Sequence, residues 1–74
     1  PWPWTVNLEG ESRWFPTRAE AEAFAEAALA QGRDSLDVGC FQLNWRWHGE
    51  NFTSVAQMFD PLANASYAAG YLRS

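Results

Sequence analysis

The run Gly39-Cys40-Phe41-Gln42-Leu43-Asn44, with the helix start Asp60-Pro61 downstream of it, constrains this chain more than any other feature. The run sets an apolar pair beside Gln42, an amide that cannot be buried without hydrogen-bond partners. Asp60 is a helix-capping residue, and Pro61 fits the first helical position because its missing N–H is not needed there. Polar groups at Asn64, Tyr67 and Tyr71 then fall along one side of the helix. A short strand facing such a helix predicts a groove with amides and phenols on its walls, a lining suited to a sugar.

The rest of the chain supplies a frame for that groove. Trp4, Val6 and Leu8 alternate with Thr5 and Asn7, Glu9-Gly10-Glu11 interrupts with turn chemistry, and Ser12 to Phe15 resumes an extended pattern, so a β-hairpin is expected. Pro1 and Pro3 suit an irregular lead-in. Thr17 with Glu20 three residues on is a capping box, and Ala21, Phe24, Ala25, Ala28 and Leu29 follow a helical stripe that Gly32 ends. Residues 35–44 read as one further strand, with Leu36, Val38 and Cys40 on one face and Gly39 marking a bulge or a close backbone approach. Residues 45–51 read as a loop, Ser54 starts a short helix with Val55, Met58 and Phe59 inward, and Leu62, Ala65, Ala69 and Leu72 form the expected buried stripe of the last helix. The predicted class is α+β: a small antiparallel sheet flanked by helices, in one domain spanning residues 1–74.

Composition narrows the function. A chain of 74 residues has a small core, since domains of roughly 60 residues bury only about 60% of the surface of the unfolded chain. Five tryptophans, five phenylalanines and two tyrosines offset this, either by filling the core or by lining a groove. A net charge of −4 without a basic stripe disfavours nucleic acid. No apolar run approaches the roughly 20 residues of a membrane span. One cysteine and one histidine exclude an intrachain disulfide and a structural zinc site, and no cofactor is implied. Cys40, within an apolar run, reads as a small buried hydrophobe.

Gly39 to Gln42, then Asp60-Pro61 with Asn64, then Tyr71-Leu72 resemble, in order and spacing, the Gly-Leu-Met-Gln, Asp-Pro-x-x-Asn and Tyr-Leu elements of the soluble lytic transglycosylase domain. That family belongs with the goose-type lysozymes in the lysozyme-like fold. Cys40 and Phe41 replace its middle pair. The resemblance covers about residues 35–72 and implies cleavage of the β-1,4 bond between N-acetylmuramic acid and N-acetylglucosamine in peptidoglycan. In that reaction the muramic acid's own 6-hydroxyl attacks and a 1,6-anhydro product forms. One glutamate serves as acid and then as base, which requires an apolar pocket that raises its pKa. The implied partner is the peptidoglycan glycan strand, and the implied location is the periplasm or bacterial cell envelope.

The family glutamate ends an apolar helix ahead of the sheet, whereas this chain opens Pro1-Trp2-Pro3-Trp4. Glu11-Ser12 reproduces the family's Glu-Ser pair but lies in a hydrophilic turn. The expectation is therefore a fragment lacking the catalytic helix and inactive alone, with Glu11 the candidate acid inside the chain. The resemblance assigns substrate contacts to Gln42, Phe41, Tyr71 and Asn64. Each has a plainer alternative: Gln42 as an amide tying strand to loop, Phe41 as core packing, Tyr71 as a helix residue with a wet tip, Asn64 as a brace for the preceding loop. Trp45, Trp47 and His48 either flank the cleft or pack against the absent helix. Rival functions are a non-catalytic glycan-binding or envelope-assembly module, a goose-type hydrolase, and an aromatic-rich interaction domain with no glycan role.

Overall fold

Alternation of apolar and polar residues at Thr5–Leu8 (β1) turns Val6 and Leu8 into the core, where they are 0% and 4% exposed. The computed structural model describes residues 2–73, so Pro1 of the expected lead-in lies outside the described residues. β1 pairs antiparallel with Glu11–Trp14 (β2), with Leu8 opposite Glu11. Glu9 and Gly10 between them both have positive φ, 53° and 93°, the backbone of the tightest hairpin turns, whose twist matches that of the strands. The other edge of β1 pairs antiparallel with Leu36–Val38 (β3), and β3 pairs antiparallel with Leu43–Asn44 (β4). The sheet order is β2-β1-β3-β4. The protein is thus an α+β fold with a small four-stranded antiparallel sheet and flanking helices.

Helix α1, Arg18–Ala30, packs beside β1 and the segment Val55–Phe59, and buries Ala21, Ala25 and Ala28. Thr17 caps it by accepting from the Glu20 N–H, and Glu20 returns its carboxylate to the Thr17 hydroxyl rather than to the Thr17 backbone. At the other end the N–H groups of Gly32 and Arg33 close onto the carbonyls of Leu29 and Ala28. Arg18 clasps α1 to the C-terminal half: it donates to Glu22 and to the Ala56 carbonyl.

Three expectations are corrected. Residues 35–44 do not form one strand: the chain reverses through residues 39–42, and β3 and β4 make a hairpin. Residues 45–51 are helical, as Trp45–His48 (α2) and a 3₁₀ turn at Gly49–Asn51, because Asn44 caps α2 by accepting from the Trp47 N–H. Helix α3, Val55–Phe59, starts at Ser54 and buries Val55, Met58 and Phe59 as expected. Helix α4, Pro61–Arg73, does not bury its leucine stripe: Leu62 and Leu72 are 76% and 79% exposed, while Asn64 and Ala68 are buried.

The core is mostly aliphatic. Val6, Leu8, Leu36, Val38, Leu43, Val55, Met58, Phe59 and the α1 alanines fill it. Phe59 is the one fully buried aromatic among the described residues; Trp4, Phe15, Phe24, Trp45, Phe52 and Tyr67 pack around the core's edge. No helix among the described residues is long and apolar enough to cross a membrane.

Candidate functional site

One buried amide joins the elements beneath the groove. Asn64, 0% exposed on the first turn of α4, donates from Nδ2 to the carbonyls of Val38 and Met58 at 3.0 Å each. Its Oδ1 accepts from the Phe41 N–H at 2.9 Å. The end of β3, the end of α3 and the β3–β4 turn therefore meet at one side chain. Asp60 sets that residue's height by accepting from the Ala63 N–H through its carboxylate and from the Asn64 N–H through its carbonyl. Gly39, at φ 80°, allows the approach, because a Cβ there would sit 2.5 Å from the Asn64 amide nitrogen. Of the two sequence readings of Gly39, close backbone approach is the one observed.

The turn itself is closed by the Gln42 N–H onto the Gly39 carbonyl, and Gln42 adopts φ 51°, a left-handed conformation uncommon outside glycine. Its side chain stabilises that conformation locally: Nε2 donates to the carbonyls of Gly39 and Thr5 at 3.0 and 3.3 Å. The Gln42 amide nitrogen thus ties the turn to β1, and no described residue bonds its Oε1, which is left as an acceptor.

Between this turn and α4 lies an open pocket of about 270 Å³, near the lower end of the roughly 300–1,000 Å³ typical of small-ligand sites. Phe41, Gln42, Leu43, Asn44 and His48 line it from the β3–β4 turn, β4 and α2, and Ala68, Tyr71 and Leu72 line it from α4; Leu43 and Ala68 are buried. The lining is mostly apolar, with an amide, an imidazole and a phenol as its side-chain polar groups beside Asn44. Asn44 is committed elsewhere: it caps α2 and donates from Nδ2 to Asp37.

His48 is the best-anchored of these. Its Nδ1 lies 2.8 Å from the Tyr67 hydroxyl, which also accepts from Asn51 Nδ2 at 3.1 Å. Its ring meets Tyr67 and Tyr71 edge-on at centroid distances of 5.3 and 4.8 Å, and Phe52 tilts against Tyr67 at 5.1 Å. The sequence alone places Tyr67 only on the polar side of the last helix and His48 only in the aromatic segment before it; the spacing of two residues on one helix to a third on another carries no local signal for such a contact.

The structure brings together Gln42, Phe41 and Tyr71 in one pocket. Asn64 is not at the surface: it lies beneath the turn as the brace considered for it, with both amide hydrogens committed, and contributes nothing to the lining. Cys40 is half-buried rather than fully enclosed, because the strand expected to bury it turns away. Glu11 sits on β2, the edge strand opposite β4, with its side chain 79% exposed and 3.7 Å from Arg13. That position is far from the pocket across the sheet and offers no apolar enclosure.

Charge is kept out of the lining. The bidentate Arg33–Glu9 pair joins the β1–β2 turn to the segment after α1, and Arg46–Asp34 joins α2 to the segment before β3. The Arg33 hydrogen bonds hold the Glu9 carboxyl below its ordinary value, and those of Arg46 do the same for Asp34. No cluster of three or more histidine, cysteine or acidic residues among the described residues could hold a metal ion. Comparison with family models, with curated proteins and with solved structures returns no match to this chain.

Proposed function

We propose that the pocket between the β3–β4 turn and α4 binds a peptidoglycan-type saccharide, and that the chain is the glycan-holding part of a lysozyme-like lytic transglycosylase domain. The observation that carries this reading is the convergence of Gln42 and Tyr71 on one pocket, with Phe41 beside them. An uncharged, largely apolar surface with a few placed polar groups suits a sugar, whose faces are apolar and whose edges donate and accept hydrogen bonds. In this reading Gln42 Oε1 accepts from a hydroxyl or an acetamido N–H, the exposed ring of Phe41 packs on a sugar face, and Tyr71 serves as the phenol nearest the reacting bond. Asn64 acts through the turn and does not touch the ligand.

The general acid belongs to a segment upstream of these residues, since the pocket lining holds no carboxylate and Glu11 is exposed on the far strand. The chain alone is accordingly inactive, while the parent protein cleaves the glycan strand in the bacterial envelope to a 1,6-anhydro product. The same carboxylate-free lining favours one rival, a glycan-binding module without catalysis. Calorimetric titration of the chain with chitotetraose tests the binding step; saturable binding that Tyr71→Ala weakens is expected, and absence of binding rejects the reading. Digestion of purified sacculi by the parent protein separates the two classes: anhydro-muropeptides identify the enzyme, and intact sacculi with retained binding identify the module.

A further inference from the structure

A hydrogen-bond chain that the resemblance does not assign ends at the pocket, in His48. Asn51 Nδ2 donates both to the His48 carbonyl, at 3.3 Å, and to the Tyr67 hydroxyl, at 3.1 Å. The contact with a carbonyl fixes which end of the Asn51 amide is the nitrogen, because an oxygen there would face another oxygen. Tyr67 therefore receives a hydrogen bond from Asn51 and still has its own proton to place. Its remaining partner is His48 Nδ1, 2.8 Å away. If Nδ1 carried a hydrogen, the half-buried phenol would accept twice and its proton would have no acceptor among the described residues. Donation from Tyr67 to a bare Nδ1 satisfies every member of the chain.

The geometry points to His48 as a hydrogen-bond donor to the ligand: Asn51 and Tyr67 lock its neutral imidazole in the tautomer with hydrogen on Nε2, and that N–H is offered to an acceptor oxygen in the pocket. His48 lines the pocket and Tyr67 does not; with Nδ1 taken by Tyr67, Nε2 is the ring's other polar atom, and no described residue hydrogen-bonds it. The ring is held further by its edge contacts with Tyr67 and Tyr71. A fixed donor in a pocket that Gln42 also lines gives that pocket both polarities. A carbonyl such as that of an acetamido group, or a hydroxyl oxygen, satisfies the donor. This ligand class rests on the saccharide reading above; the tautomer does not.

Imidazole ¹⁵N chemical shifts of the free protein at neutral pH, read with long-range proton correlation, report the tautomer directly. A protonated Nε2 with a bare Nδ1 is expected, and Tyr67→Phe, which keeps the ring but removes the donor, is expected to give averaged shifts from two exchanging tautomers. A protonated Nδ1 in the wild type, or unchanged shifts in Tyr67→Phe, overturns the inference. Binding supplies the second arm. With chitotetraose, His48→Leu is expected to lose about tenfold in affinity, while His48→Gln, whose amide nitrogen can reach the Nε2 position, restores most of it. Equal affinity in His48→Leu and the wild type overturns the ligand contact. A wild type that shows the Nε2–H signature yet binds no chitotetraose overturns the saccharide reading and leaves the donor assignment standing.

Discussion

Two helices of 13 residues, α1 and α4, are held in this molecule by opposite means. Helix α1 buries three alanines in the core. Helix α4 buries one alanine and one asparagine, leaving Leu62, Ala69, Tyr71 and Leu72 outward. Apolar contact, with the Arg18 bond to the Ala56 carbonyl at its start, holds the first; three hydrogen bonds of one buried amide orient the second. The difference teaches where specificity enters a small fold. Hydrophobic burial is tolerant of rotation about the helix axis, whereas a buried amide costs free energy in every arrangement that leaves its partners unmet. The α4 helix accordingly faces Asn64 inward and presents Tyr71 to the pocket.

Asn64→Ala is the sharpest way to break that contrast. It leaves the Val38 and Met58 carbonyls and the Phe41 N–H without their partner, and a loss of roughly 3 to 5 kcal/mol is expected in urea unfolding, a large part of the total for a small domain. Gly39→Ala attacks the same junction from the other side, through a Cβ at 2.5 Å from the amide and a positive φ, and should cost about 2 to 3 kcal/mol. On α1 the corresponding lesion is overpacking: Ala25→Leu should cost about 1 to 3 kcal/mol by thermal denaturation. Leu62→Gln and Leu72→Gln sharpen the comparison by their mildness. Both are expected within about 0.5 kcal/mol of the wild type; a larger loss from either would mean that the apolar stripe, and not Asn64, orients α4.

The smallest effect concerns pH. Glu9 and Asp34 have lowered carboxyl values because Arg33 and Arg46 hydrogen-bond their ionised forms. Their contribution is fully present above the ordinary values of 4.5 and 3.8 and is lost as pH falls through the lowered folded ones. Urea midpoints measured from about pH 6 to about pH 2 should decline over that acid window, and Glu9→Gln should flatten part of the decline. Both pairs are exposed, so the change is minor.

The same contrast explains what the sequence revealed. Helix α1, its Thr17 cap, the first hairpin and the inward face of α3 follow from local patterns, since each depends on residues within a few positions of one another. The starts of α3 and α4 were equally legible at Ser54 and Asp60-Pro61. The rotation of α4 was not, because it depends on contacts from Asn64 to residues as distant as Val38. The break of the expected long strand was hidden for a related reason: Gln42 holds a positive φ through its own side chain, where turn rules look for glycine or asparagine. The Asn44 cap was a readable signal for α2, obscured by the aromatic run that follows it. Of the site, Gln42, Phe41 and Tyr71 were named from the sequence, while the His48–Tyr67–Asn51 chain required three elements to be folded together.

Backbone amide shift mapping during titration with chitotetraose is the most direct test of the proposal that this pocket holds a saccharide. The account predicts saturable shifts concentrated at residues 41–44, 48 and 68–72, with maltotetraose producing none. Shifts absent with both sugars, or gathered instead around the exposed Trp2 and Trp14 on the other side of the sheet, would contradict it.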